Sequence, residues 1–125
     1  KMFMDSEYIA NKAAEAADDK KAKNTILIDV QNVTTLTDWI VVTEGLSDVQ
    51  VRAITNSIET KLKEDINRLP LRKEGFNEAR WALLDYGEVI VNVMQPDERN
   101  YYDLESFWNH GKSKIYIASE IRQTN

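Results

Sequence analysis

The sequence predicts an α/β (α+β) domain, a mixed five-stranded sheet flanked by helices, and three observations predict it. Two short runs, Ile26-Leu27-Ile28-Asp29-Val30 and Trp39-Ile40-Val41-Val42-Thr43, are rich in β-branched residues and almost continuously apolar, as strands buried on both faces are. A helical pattern follows, with Val51, Ile54, Ile58 and Leu62 recurring every three or four residues. Two further strand patterns, residues 80–86 and 88–94, are separated by Gly87 alone, which reads as a tight antiparallel hairpin over Asp85-Tyr86-Gly87-Glu88.

Taken in order, Asp5-Ser6 caps a first helix through Tyr8, Ile9, Ala13, Ala16 and Ala17, and the Asp18-Asp19-Lys20-Lys21 cluster ends it. The two apolar strands follow, joined by a polar, Thr-rich link over residues 31–38. Ser47 and Gln50 form a capping-box pattern at the start of the long helix, which fades near Asp65-Ile66 before Leu69-Pro70. A short strand over residues 71–73 and a turn at Gly75 lead into the hairpin. Pro96 stops the last strand, and a short helix fits residues 98–108. Residues 112–125 show no pattern that assigns an element. The order is α-β-β-α-β-β-β-α, and the strands on either side of the long helix are free to run parallel.

At 125 residues with 42% apolar content, the chain fits one domain with one core. No apolar run approaches the roughly 18 residues of a membrane-spanning helix, and the start has no long apolar stretch before a cleavage site, so a signal peptide is not expected. Cysteine is absent, which excludes disulfides, thiolate zinc sites and cysteine nucleophiles. The net charge of −5 is localised: residues 85–108 hold Asp85, Glu88, Asp97, Glu98, Asp103 and Glu105 against Arg99 alone. The same stretch carries Tyr86, Tyr101, Tyr102, Phe107 and Trp108. Such a face is unsuited to a phosphate backbone, so no direct DNA binding is expected. It suits either solvent or a basic protein partner.

Catalytic constellations are missing. The four glycines are scattered, so none build a phosphate loop, and the lone His110 reads as a surface histidine. Magnesium chemistry needs converging carboxylates. Asp29 has the amide Gln31 as its same-face neighbour, while Asp38 and Asp85 sit at strand edges without acidic neighbours. On strand 80–86, Trp81, Leu83 and Asp85 share one face and Ala82, Leu84 and Tyr86 the other. Periodicity favours a core position for Trp81, with an exposed interface anchor as the alternative.

Several segments resemble the Iojap family of ribosomal silencing factors. They are Leu27-Ile28-Asp29-Val30, Leu36-Thr37-Asp38-Trp39-Ile40-Val41-Val42-Thr43, Gln50-Val51-Arg52-Ala53-Ile54 and Glu74-Gly75-Phe76. The hairpin, from Trp81-Ala82-Leu83-Leu84-Asp85-Tyr86-Gly87-Glu88 through Val91, and the later Tyr101-Tyr102-Asp103-Leu104-Glu105-Ser106-Phe107-Trp108 complete the set in family order and spacing. The resemblance implies one domain over residues 5–110, similar in architecture to nucleotidyltransferases without their catalytic carboxylates, followed by a tail over residues 111–125.

It further implies a non-enzymatic factor without cofactors. Such a factor binds large-subunit ribosomal protein fourteen, sterically blocks subunit association and represses translation when nutrients are scarce. Homodimerisation is implied too, as is a cytoplasmic location, or a chloroplast or mitochondrion in a eukaryote. The implied contact surface is Trp81, Leu83, Leu84, Asp85 and Tyr86, with Asp38, Arg99, Tyr102 and Asp103 at further matching positions. Two departures stand out. Asn92-Val93-Met94 replaces the family's usual His-Val-Phe, so any role of that histidine is lost, and Thr43-Glu44-Gly45 replaces a commoner Thr/Ser-Gly turn. A nucleotide-handling enzyme is the alternative, needing clustered carboxylates near Asp29 and Asp38; an oligomerisation domain is a third reading.

Overall fold

A computed structural model describes residues 5–108 and 111–116. Helix α1 (Ser6–Asp18) starts where Asp5 accepts the backbone N–H of Glu7 at 3.2 Å, filling one of the donors a helix start leaves free. Strands β1 (Lys23–Asp29) and β2 (Trp39–Glu44) pair antiparallel, with an irregularity between Lys23 and Ile26 where Asn24 takes φ 52°. Helix α2 (Asp48–Ile66) begins with the Ser47 hydroxyl accepting the Gln50 N–H at 3.1 Å. The Gln50 side chain reaches back one residue further than a capping box requires, to the Leu46 N–H at 2.7 Å. Left-handed Asn67 ends the helix.

The remaining elements are β3 (Arg72–Glu74), β4 (Trp81–Asp85), β5 (Val89–Met94), α3 (Pro96–Tyr102), α4 (Leu104–Phe107) and β6 (Lys112–Ile115). The expected hairpin forms between β4 and β5: Tyr86 N–H donates to Val89 O at 2.9 Å, and Gly87 takes φ +92°, the positive value such a tight turn demands. The sheet runs β3-β4-β5-β2-β1-β6, with β2 and β5 parallel at its centre and every other pair antiparallel.

This is the expected mixed sheet with one addition. Residues 112–115, which carried no pattern, form a sixth strand on β1. The helix expected over residues 98–108 is instead two short ones, α3 and α4, broken at Asp103 with φ 47°, a conformation Asp tolerates better than most residues. His110 lies outside the described residues.

The two sheet faces are covered unequally. One is closed by α1 and α2. Leu27, Val41, Leu84, Val89, Val91 and Val93 from the strands meet Ile54, Ile58 and Leu62 of α2, all essentially without solvent contact. Helix α1 contributes Ile9 and five buried alanines, small enough to let it lie close against the second helix. Ser57 of α2 donates to Ala16 O at 2.8 Å across that contact. The opposite face carries Ile28, Ile40, Val42 and Met94, with Trp81, Ile90, Leu104 and Trp108 packed on them as half-buried neighbours. Its cover includes the short helices α3 and α4, and they leave aromatic surface exposed.

Candidate functional site

The exposed aromatic surface is built outward from β4. Strand alternation turns Trp81, Leu83 and Asp85 to the open face and Ala82, Leu84 and Tyr86 to the closed one. The burial follows: the first three are half-buried, the second three fully buried. The chain ahead of β4 is held close by Gly75, whose φ is +75° and where a Cβ would fall 2.0 Å from the Trp81 carbonyl oxygen, so only glycine fits. On the open face the Tyr102 ring lies 4.9 Å from Trp81, tilted by 47°, and Tyr101 meets Tyr102 edge-on at 4.9 Å and 84°. Trp81, Tyr102 and Tyr101 thus form a ladder from the sheet to solvent. Tyr102 is 50% and Tyr101 81% exposed.

The indole edge is also fixed. Trp81 Nε1–H donates to Asn92 Oδ1 at 2.9 Å, and Asn92, nearly buried on β5, donates its amide to Val41 O at 3.3 Å. The resemblance implied only that any role of the family's usual histidine is lost at Asn92. The structure instead makes it an acceptor for the central aromatic residue, and no periodicity could have linked the two across the hairpin.

Three of the expected contact residues lie buried. Leu84 packs in the closed core with no exposed surface, and Tyr86, 1% exposed, sits on that same side. A partner resting on the molecular surface meets neither. The Tyr86 hydroxyl is buried with no hydrogen-bond partner among the described residues, and burial pushes its pKa well up. Arg99, 5% exposed, faces inward. Its guanidinium donates to Glu44 at 3.0 Å, to Glu105 at 2.8 and 3.0 Å, and to Asn24 O, fastening α3 to one end of the β1–β2 pair and to α4. A shallow cleft of about 420 Å³ opens beside it, but with two carboxylates on one guanidinium it keeps no positive charge for an anion.

Of the remaining expected residues, Trp81, Tyr102 and Asp103 come together at one end of the open face. Leu83 lies midway along β4. Asp85 and Asp38 lie toward the far end, since Trp81 pairs with Met94 and Asp85 with Ile90, a separation of roughly 13 Å at the usual strand rise.

The acidic stretch is also thinner than its composition implies. Arg68 holds Glu88 through bonds of 2.7 and 3.0 Å, and that hydrogen bonding keeps the Glu88 carboxyl below its ordinary range. Arg72 lies 3.6 Å from Asp85 and Arg80 4.0 Å from Glu98. Among the described residues, Asp97 and Asp103 are the carboxylates of residues 85–108 with no ion pair, and both are exposed on either side of the tyrosine pair. Asp29 accepts the N–H and the side-chain amide of Gln31, a loop role, and no group of three or more metal-ligating side chains gathers among the described residues. No helix among them is long and apolar enough to cross a membrane.

Comparisons with known proteins agree with this architecture. Residues 4–125 match the family model described as "Ribosomal silencing factor during starvation". The chain is 41% identical to the ribosomal silencing factor RsfS of Bacillus subtilis over 106 residues, covering 84% of this chain and 88% of that one. It is 30% identical over 96 residues to an Arabidopsis thaliana protein named Iojap-related, mitochondrial, covering 73% of this chain and 51% of the relative. A crystal structure of a Chromobacterium violaceum protein superposes with a TM-score of 0.82 at 36% identity, covering 92% of this chain and 95% of that one.

Proposed function

The chain belongs to the ribosomal silencing factor family, a regulatory and non-enzymatic one, and on that premise we propose that it binds the large ribosomal subunit through ribosomal protein fourteen. Bound there, it sterically blocks association with the small subunit and so represses translation under nutrient limitation. The observation that carries the reading is the solvent-facing ladder Trp81–Tyr102–Tyr101 on the thinly covered sheet face. Half-buried Trp and Tyr beside charge are the residue types that dominate binding energy when a partner excludes water from them.

The contact residues under this reading are Trp81, Leu83, Tyr102 and Asp103, with Tyr101 and Asp97 added and with Asp85 and Asp38 at the far end of the same face. The two unpaired carboxylates, Asp97 and Asp103, favour a partner presenting Lys or Arg and predict a modest loss of affinity with rising salt. Work in the cytoplasm and homodimerisation belong to the same reading; the bacterial relatives support the first, and sedimentation velocity tests the second.

The deciding experiment adds purified protein to dissociated subunits and measures whether intact ribosomes form. Wild type is expected to hold the subunits apart. Trp81→Ala, checked for native circular dichroism, is expected to lose co-sedimentation with large subunits by at least about 2 kcal/mol, a hot-spot loss. Full binding by a folded Trp81→Ala protein would sink the proposal.

A further inference from the structure

The ladder is presented by a half-buried indole, so its orientation has to be set by something. Stacking sets it only in part: Tyr102 is itself half exposed and stands on a seven-residue helix. The directional restraint is the hydrogen bond from Trp81 Nε1–H to Asn92 Oδ1 at 2.9 Å. An indole nitrogen only donates, so the Asn92 amide must present its oxygen to Trp81 and its nitrogen to the Val41 carbonyl, and the observed pairing is the one arrangement that satisfies all three groups. The cross-strand register makes this reach possible. Leu83 pairs with Asn92 and Trp81 with Met94, so Asn92 is the diagonal neighbour of Trp81 on the same face. Asn92 is 3% exposed, a polar side chain held inside an otherwise apolar strand face beside Ile90 and Met94. Such a group costs stability unless its bonds are made, which ties its own orientation to that of the indole.

We infer that Asn92 is the positioning residue of the binding face: it does not touch the partner, but it aims the Trp81 ring so that Tyr102 and Tyr101 extend from it in one fixed array. The inference rests on the ribosomal reading above and deepens it.

The test uses Asn92→Leu, close in size and lacking the acceptor, and Asn92→His, which restores an acceptor only while its imidazole is neutral. Two quantities are read: hydrogen exchange of the Trp81 indole proton by NMR, assigned with Trp81→Phe, and affinity for purified large subunits. In Asn92→Leu the indole proton is expected to lose protection, and affinity to fall roughly three- to tenfold, the worth of one hydrogen bond, with circular dichroism unchanged. Asn92→His should keep both at pH 8 and lose both once acid protonates the imidazole, which burial holds below its ordinary pKa, while wild type measured alongside sets the baseline. Unchanged affinity in Asn92→Leu after the indole proton has lost its protection overturns the inference. So does unchanged protection in Asn92→Leu, or an Asn92→His protein whose binding still tracks the wild type after NMR shows its imidazole protonated. Failure of the wild type itself to bind large subunits, with its indole proton protected, instead overturns the ribosomal reading.

Discussion

The two faces of the sheet are made from the same strands and do opposite things. On the closed face, valines, leucines and isoleucines meet two helices, one of thirteen and one of nineteen residues, and water is excluded throughout. On the open face, helices of seven and four residues cover a mixed set of aliphatic and aromatic side chains, and three aromatic rings step out to solvent. A long amphipathic helix can bury a sheet's apolar stripe, and a two-turn helix cannot. The molecule thus keeps its larger buried core on one side and its exposed aromatic surface on the other. Mutations should divide the same way.

The largest effect is expected where α3 is fastened to the sheet. Arg99 fastens α3 to the end of β2 through Glu44 and to α4 through Glu105. Arg99→Met leaves those carboxylates without their cation, and urea denaturation should show a loss of about 3–5 kcal/mol. Loss of under about 0.5 kcal/mol, with binding abolished, would restore Arg99 as a direct contact.

Next is the closed core itself. Ile58→Ala opens a cavity under the sheet and should cost about 2–5 kcal/mol, whereas Tyr101→Ala on the open face should change stability by under about 0.5 kcal/mol. Comparable losses at the two positions would erase the contrast between the faces.

One substitution should bring a gain. The Tyr86 hydroxyl is buried without a partner among the described residues, so Tyr86→Phe should stabilise by about 1 kcal/mol at neutral pH, the lower end of the cost of such a group. The alkaline behaviour has a definite sign. The folded pKa of Tyr86 is raised by burial, so the unfolded chain releases the phenolic proton first, near pH 10. Stability from this group is complete below that pH and drains as pH rises above it, and Tyr86→Phe should flatten the alkaline limb of the melting profile. Glu88 behaves in the opposite sense. Its pKa is lowered by Arg68, so its contribution holds above the usual glutamate value and fades as pH falls below it.

Much of this could be read from local pattern. The five strands and two long helices follow from hydrophobic period and caps because those are short-range properties. Ser47, Gly87 and Pro96 mark boundaries for reasons that sit within a few residues of each. The site was legible as a list of aromatic and acidic positions in residues 81–105, but not as a surface. Strand alternation already set Tyr86 apart from Trp81; the motif nonetheless grouped them, and the fold separates them onto opposite faces. Asp103, which breaks the expected helix in two, signals itself only through a backbone angle.

What the sequence determined by itself is the α/β order, the tight hairpin and the family. These rest on period, turn chemistry and motif spacing, which neighbouring residues carry without help. What the tertiary structure decided is which charges and rings remain available. Arg68, Arg72 and Arg80 come from outside the acidic stretch to meet Glu88, Asp85 and Glu98, and Arg99 within it holds Glu105, so of six carboxylates Asp97 and Asp103 are left without an ion pair among the described residues. Asn92 likewise gains its meaning only when the hairpin brings it to the Trp81 indole. Ion pairs and diagonal contacts depend on distances across strands, and a linear pattern does not contain those distances.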